Sequence, residues 1–417
     1  MKRVAIIGGG ISGLTALHYL KQRFPRDVEV TLFEREPAVG GTIRTLSGHG
    51  CLFETGPNGF MGDQPSTLQL IEELGLTGEL VEADATAQRR YIQAGGKLHP
   101  LPVKPGRLLK TSLLSAADKW AMVKGVFKNN ISTDQSIYEY VARRFSPNVA
   151  EYLADPFITG IYAGDIKRLH LASVFPKLGK RDKKRGKGQK RMFSFKRGMG
   201  QLIETLQARH QPHIRTATEV VSLDDIKADA VIVAVPAYAA GKIVAGSNPS
   251  LAALLEEVPY APVAVAGLVF AADAFRQMPD GFGYLVPSKE GKDILGVLIE
   301  SNVYPGRGAP GQVMLRVMLG GRRHPAVVND SPENILAKAI KEIDSVYGLK
   351  ADPVQTFVKS WPRGIPQYEL GYPRLRENIA EELRKTPHVH LCANYLDGIS
   401  FNDCVNNAKS IALQMTF

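Results

Sequence analysis

The chain has 417 residues, 44% hydrophobic and 22% charged, which is ordinary for a folded soluble enzyme and long enough for two or three intertwined units. Its formal charge is +11, but residues 179–191, "GKRDKKRGKGQKR", hold eight Lys or Arg and one Asp and so account for +7 of it. Basicity confined to one run, with no aromatic interleaving and no nucleic-acid motif, argues against a nucleic-acid partner. Cys51, Cys392 and Cys404 form neither a disulfide framework nor a zinc pattern; no metal site is expected, and the usage suits a reducing, cytoplasmic compartment.

In chain order, the first element is Val4–Ile7, an apolar run without a polar break, as in a buried parallel strand. "GGGISG" follows, with Gly8, Gly10 and Gly13 in a G-x-G-x-x-G pattern; a helix is predicted over Ser12–Arg23 and a second strand over Val28–Phe33, ending at Glu34. Gly8 permits the tight turn, Gly10 lets backbone amides approach a diphosphate, and Gly13 lets helix pack on strand. The diphosphate would lie at the helix N-terminus, with Glu34 placed to accept from a ribose. The start of the chain is too short an apolar stretch for a signal peptide.

Two glycine-rich stretches come next, "VGGTIRT" (39–45) and "FETGPNGF" (53–60). Residues 115–130 and 136–164 carry apolar residues at three- and four-residue spacing, with Asp134 or Ser136 as a helix cap and Pro147 and Pro156 as interruptions. The basic run reads as a glycine-bearing loop, either solvated or lying on anionic lipid. "TEVVSLDDIKADAVIVAVPA" (218–237) contains further strand signals. The longest mainly apolar stretch, 260–275, is broken by Pro262 and Asp273 and is rich in strand formers, so no membrane span is expected. An amphipathic helix is predicted near 331–348 with Ser331 and Asn334 at its start. At 391–412 an apolar strand, a turn and a helix beginning near Asn402 close the pattern.

The loops at 39–45 and 53–60, with 218–237 and 391–412, resemble the flavin amine oxidase superfamily. Within it, "RRYIQAGGKLHPLP" (89–102), "GIYAGD" (160–165), "GFGYLVPSKEGKDILGVLIES" (281–301), "LRVMLGG" (315–321), "GIPQYELGY" (364–372) and "NYLDGISFNDCV" (394–405) resemble the oxygen-dependent protoporphyrinogen oxidase family. The resemblance implies an α/β fold: a Rossmann-type FAD-binding domain (1–86, 196–245, 385–417), a strand-rich α+β substrate domain (87–103, 246–384) and an inserted helical, membrane-associating domain (104–195). It implies FAD held by Gly8, Gly9, Gly10, Ile11, Ser12, Gly13, Glu34, Arg35, Gly40, Gly41, Thr42, Gly56, Pro57, Asn58, Gly59, Val220, Trp361, Ile399, Ser400 and Phe401. The C-terminal helix would point its N-terminus at the flavin N1–C2=O edge and favour the reduced cofactor.

The activity implied is oxidation of protoporphyrinogen IX to protoporphyrin IX, three flavin reductions with O2 as acceptor and peroxide as product. The alternatives are oxidation of coproporphyrinogen III and, more distantly, a flavin- or porphyrin-binding carrier without turnover. Such chemistry needs positioning in an apolar slot rather than a dedicated base, and no catalytic triad or carboxylate pair is discernible; His99, His170 and His324 fall on unrelated segments. The family register puts Arg90 opposite a propionate, Phe282, Leu285 and Met318 around the macrocycle, and Gly160 where backbone approaches substrate. It also leaves open whether Arg89 or His99 serves extra carboxylates. Two departures stand out: the segment after "FPKLGK" is shorter than in many relatives, and the flavin-domain hairpin between Leu223 and Ala230 is abbreviated. The location expected is cytoplasmic, with peripheral contact to an anionic membrane through 179–191; a homodimer and product hand-off to ferrochelatase fit the chemistry, though no motif encodes either.

Overall fold

The structure, a computed structural model, describes residues 1–101, 110–128, 132–176, 178 and 191–417. Its first layer is a wholly parallel sheet of five strands in the order Ile214–Arg215, Val28–Phe33, Lys2–Ile7, Ala230–Val233, Val389–Leu391. Val4–Ile7 and Ala230–Val233 are buried at every position, because helices cover both faces. Ile11–Arg23, Gly200–His210 and Phe401–Gln414 pack Leu14, Leu17, Leu206 and Val405 against Ile6, Val30 and Leu32. On the other face Ala240, Ile243, Leu251 and Leu255 meet Ala5, Ile7, Val231 and Val233. Each fully buried Leu or Ile contributes about 1.5–3 kcal/mol, so strand and helix order here follows from burial.

The second layer is a seven-stranded sheet in the order Gln355–Pro366, Tyr260–Ala271, Gln312–Gly320, Ile294–Ile299, Gly283–Leu285, Arg90–Ala94, Lys97–Pro100. All its pairs are antiparallel except Gly283–Leu285 with Arg90–Ala94. Side chains alternate between its faces. Ala264, Ala266, Val317, Leu319 and Tyr284 point to the helix Pro332–Tyr347, capped by Ser331 through the Asn334 amide. Val265, Met318, Leu285 and Trp361 therefore point the other way, towards the parallel-sheet layer. Tyr260–Ala271 is buried on both faces apart from its ends, which explains why its sequence carries no alternation.

The helical segment contains Ala116–Val126 and Ile137–Arg144, then Pro147–Val149 running through a π turn at Ala150–Ala154 into Asp155–Tyr162. Ser115 and Ser136 close capping boxes with Asp118 and Glu139. Asp134 is not a cap: it bonds His170 Nε2 at 3.1 Å. Pro147 occupies the first turn of its helix, where its missing N–H costs nothing. Met192–Phe195 is a strand, pairing with Phe60–Met61 and Leu80–Glu82. Residues 218–222 form no strand, although the sequence there carries strand signals, and the abbreviated hairpin between Leu223 and Ala230 is reduced to a turn. Thr218 donates from its backbone to the Glu34 carbonyl at 2.9 Å, and a 3-10 turn at Leu223–Asp225 leads straight to Ala230–Val233. The short "DDIKAD" connection leaves too few residues for a second strand.

Candidate cofactor and substrate site

The glycine loop after the first strand is shaped by close approach. A Cβ on Gly8, whose φ is +106°, would stand 2.6 Å from the Ala234 carbonyl oxygen; one on Gly13 would stand 1.9 Å from that of Gly8. At Gly10 a Cβ would meet nothing within 4 Å, so this residue borders open space. The second glycine loop is tied to the first, Gly40 donating to the Gly9 carbonyl at 2.8 Å, with Gly41 beside the Gly10 Cα. Leu14 is the first amide of the helix to find an intrahelical acceptor, at Gly10, which leaves the amides of Ile11, Ser12 and Gly13 directed at that space. A diphosphate fits this cradle. The Glu34 carboxylate accepts from the Gly9 amide at 2.7 Å and the Glu36 amide at 2.8 Å; each oxygen retains a lone pair for a ribose hydroxyl. Arg35 is exposed and pairs with Glu36 and Glu219, and Val220 follows the backbone that runs beside Glu34.

The loop Thr55–Gly59 is held from the opposite layer. Trp361 Nε1 donates to the Thr55 carbonyl at 2.9 Å, Arg316 to that of Gly56, and Arg307 to that of Asn58 at 3.4 Å. Arg307 also pairs with Glu54 at 2.6 Å and donates to Ser194 Oγ at 2.5 Å, with both charges of the pair almost wholly buried. Thr55 Oγ1 reaches the Thr42 carbonyl at 3.1 Å, and a Cβ on Gly56 would stand 2.2 Å from that same oxygen. Pro57 lies between the held carbonyls. Glu300 is buried beside Arg316 at 3.7 Å; loss of solvent raises its pKa, against the pull of Arg316 and Arg307.

The C-terminal helix begins at Phe401, next to the predicted start. Ser400 caps it by accepting from the Asp403 amide, while Asp403 accepts from the Ser400 amide and hydroxyl. The Phe401 ring lies 5.3 Å from that of Phe60. The turn before it is braced by residues that sequence reasoning did not assign. Tyr368 Oη donates to the Asn394 carbonyl at 2.6 Å and accepts from the Gly398 amide at 2.9 Å, and its ring stacks on Tyr372 at 4.3 Å. Gln367 Nε2 donates to the Tyr162 carbonyl at 2.8 Å, joining the helix that bears Gly160. Ile399 packs partly buried against that group. "GIPQYELGY" is thus a brace between the helical segment and the C-terminal turn.

On the sheet face turned to this cradle, register aligns two rows. Leu285 pairs with Gly296, Gly296 with Met318, Met318 with Val265, and Val265 with Lys359. Arg90 pairs with Gly283, Gly283 with Leu298, and Leu298 with Arg316. A Cβ on Gly160 would stand 2.8 Å from Leu285 Cδ2, so this helix lies directly on the first row. The Arg90 guanidinium lies 4.4 Å over the Phe282 ring; the residue is exposed, and partial loss of solvent around its charged end lowers its pKa. Among the described residues Arg90 has no carboxylate partner. Arg89, by contrast, pairs with Asp280 at 2.6 Å; His99 bonds Ser112 and the Ala94 carbonyl. His170 caps a short helix and His324 bonds Asp293, so none of the three histidines stands at the site.

Glu54, Arg307, Arg316, Glu300 and Tyr368 were missed. Arg316 left one readable signal, a lone charge inside the apolar strand "LRVMLGG". Arg307 left none, since its partners lie in distant segments.

Residues 11–416 match the family described as flavin containing amine oxidoreductase. The chain is 28% identical to the coproporphyrinogen III oxidase of Bacillus subtilis (strain 168), covering 98% of this chain and 97% of that one. It is 30% identical to the protoporphyrinogen oxidase of Bos taurus, covering 99% and 98%. A crystal structure from Exiguobacterium sp. 255-15 shares its fold with a TM-score of 0.85 at 24% identity, covering 99% of both chains.

Proposed function

The chain belongs to the flavin containing amine oxidoreductase family, is an FAD-dependent oxidoreductase, and we propose that its substrate is protoporphyrinogen IX. The overall reaction is protoporphyrinogen IX plus three O2 giving protoporphyrin IX plus three H2O2. When bound, FAD supplies the two-electron acceptor that O2 regenerates. The observation that carries the substrate reading is the sheet face on which Leu285, Gly296 and Met318 form an apolar row beside Gly160, with Arg90 unpaired at its edge. Such a floor suits a flat, apolar macrocycle, and an unpaired guanidinium suits a propionate. We assign Phe282, Leu285, Met318 and Gly160 to the macrocycle and Arg90 to the propionate. The cofactor falls to the two glycine loops, Thr42, Glu34, Arg35, Val220, residues 56–59, Trp361 and 399–401. The division of labour that goes with this is 1–86, 196–245 and 385–417 for cofactor, 87–103 and 246–384 for substrate, and 104–195 for membrane contact.

On this reading the chain's residues orient the substrate and exclude water; His99, His170 and His324 are engaged elsewhere. The name of the Bacillus subtilis relative supports coproporphyrinogen III as a second reading. Anaerobic mixing separates them: rapid bleaching of the flavin by protoporphyrinogen IX and slow bleaching by coproporphyrinogen III is the expected result. The reverse order moves the assignment to the second reading, and binding without bleaching by either leaves a carrier.

For membrane contact we favour the helix Ala116–Val126. Among the described residues no helix is long and apolar enough to cross a membrane. This helix exposes Trp120 (60%), Val126 (66%) and the following Phe127 (77%), beside Lys119, Lys124 and Lys128. An apolar ridge flanked by lysines suits an anionic surface. The basic run lies outside the described residues from 179 to 190; Arg191 pairs with Glu82 at 2.8 Å. Trp120→Ser/Phe127→Ser should weaken binding to phosphatidylserine vesicles while leaving activity in detergent intact; unchanged binding would remove this helix from the interface.

A further inference from the structure

The carbonyls of Thr55, Gly56 and Asn58 all accept from side chains of the seven-stranded layer or its flanking turns: Trp361, Arg316 and Arg307. In a trans peptide the C=O and the N–H that follows it point opposite ways. Turning the Thr55 and Asn58 carbonyls to the sheet therefore turns the Gly56 and Gly59 amides away from it. Neither amide has an acceptor among the described residues. Pro57 brings no N–H to the Gly56–Pro57 peptide, so two donors stand on the side of the loop that faces away from the sheet.

What holds the carbonyls in this sense is a buried charge group. Arg307 is fixed by Glu54, which also accepts from the Met199 amide at 2.8 Å and from Thr45 at 2.8 Å. Among the described residues the ionic neighbour of Arg316 is Glu300, at 3.7 Å. Among the described residues neither Glu300 oxygen nor Asn58 Nδ2 makes a well-formed hydrogen bond, although the Asn58 amide lies close enough to the carboxyl to favour its charged form. Glu54 is thus fully engaged, whereas Glu300 lies beside Arg316 and the Asn58 amide without a well-formed hydrogen bond to either.

The geometry points to Glu300 and Arg316 as positioning residues: Arg316 holds the carbonyl of the Gly56–Pro57 peptide, which lies between the two donors, and so keeps the loop in the shape that turns the Gly56 and Gly59 amides to the bound flavin. This rests on the proposed reading that residues 56–59 face the flavin. Glu300 does not touch the cofactor in this scheme; it acts through Arg316 and Asn58. A buried guanidinium without its counter-charge would swing or draw water, release the Gly56 carbonyl, and let the loop rotate.

Three variants of the full chain test this: Glu300→Ala, Glu300→Gln and Arg316→Met, with Glu342→Gln as control. Glu342 is a buried acid on the opposite sheet face, paired with Lys292 at 2.8 Å. Glu300→Ala and Arg316→Met should weaken FAD binding about tenfold or more, the loss of one charge-assisted hydrogen bond, and should shift both the flavin absorption bands and its midpoint potential. Glu300→Gln, which keeps an acceptor for Asn58, should recover part of the affinity. Glu342→Gln should lower the melting temperature without changing the flavin. Variants that lose stability but keep wild-type affinity, bands and potential would overturn the proposal. Should they fail to fold, hydrogen exchange on the wild-type protein decides: FAD should slow exchange at Gly56 and Gly59, and unchanged rates there reject it. Wild-type protein that binds no FAD sinks the reading of the site itself, a separate outcome.

Discussion

The two large sheets of this protein contribute to the site by different means. The parallel sheet offers backbone: a loop whose glycines exclude side chains, a helix N-terminus, and one carboxylate fixed by two amides. In the proposed assignment the seven-stranded sheet would offer side chains at alternate positions of strands that are neighbours only after pairing, such as Arg90, Leu285, Met318 and Trp361. A site built from backbone tolerates almost no added atoms but is indifferent to most side-chain chemistry. A site built from side chains should show the reverse, with the chemistry of each group tunable and the fold preserved.

The largest effect tests the first half of that contrast. Gly13→Val places a Cβ where the Gly8 carbonyl stands at 1.9 Å, so the purified chain should lose its flavin absorbance altogether. Retained yellow colour would mean that the cradle is not where the cofactor binds. Next comes the joint between the layers. Arg307→Met leaves Glu54 charged, buried and unpaired, and should cost about 3–5 kcal/mol in urea unfolding. The exposed pair Arg89–Asp280 should lose no more than about 1 kcal/mol on the same change to Arg89. Equal losses would deny that the layers are welded by the buried pair.

Arg90→Ala should be smaller in stability and larger in function. The guanidinium lies over the Phe282 ring without a carboxylate, so unfolding should change by about 0.5 kcal/mol or less. The porphyrinogen KM should rise about tenfold or more, the worth of a charge-assisted contact, with FAD content unaltered. An unchanged KM would move the propionate elsewhere.

The smallest effect lies beneath the nucleotide cradle. His18 Nδ1 and His210 Nε2 are 3.1 Å apart, and His18 also bonds Glu73. Burial, with His18 beside it, lowers the His210 pKa to about 4, and burial lowers that of His18 as well. The unfolded chain takes up these protons near pH 6.5, so their contribution is complete above that value and is lost as pH falls towards 4. His210→Asn should therefore flatten the decline in melting temperature between pH 6.5 and 4.5, relative to wild type, without touching KM. A parallel decline in both proteins would remove His210 from the pH response.

Legibility in the sequence followed the same division. The strand–glycine–helix–strand run with Glu34, the caps at Ser136 and Ser331, the helix start near Asn402, and the apolar character of 260–271 were all written in adjacent residues, and the structure shows each in place. No strand formed at 218–222 despite its strand signals, whereas the abbreviation of the hairpin between Leu223 and Ala230 is seen as a 3-10 turn leading straight into Ala230–Val233. The buried group of Glu54, Arg307, Glu300 and Arg316 was invisible, and so was the brace through Tyr368.

By itself, then, the sequence determined the local conformations: which segments extend, where helices start, and where a Cβ cannot be tolerated. Those depend on sterics and hydrogen bonds within a few positions. The tertiary structure decided which distant side chains meet, as when Arg307 and Glu54, 253 residues apart, form one buried pair. It also decided that Arg90 comes to the edge of the apolar row, over the Phe282 ring. Strand register and layer packing fix both, and they are set only when the whole hydrophobic surface is buried at once.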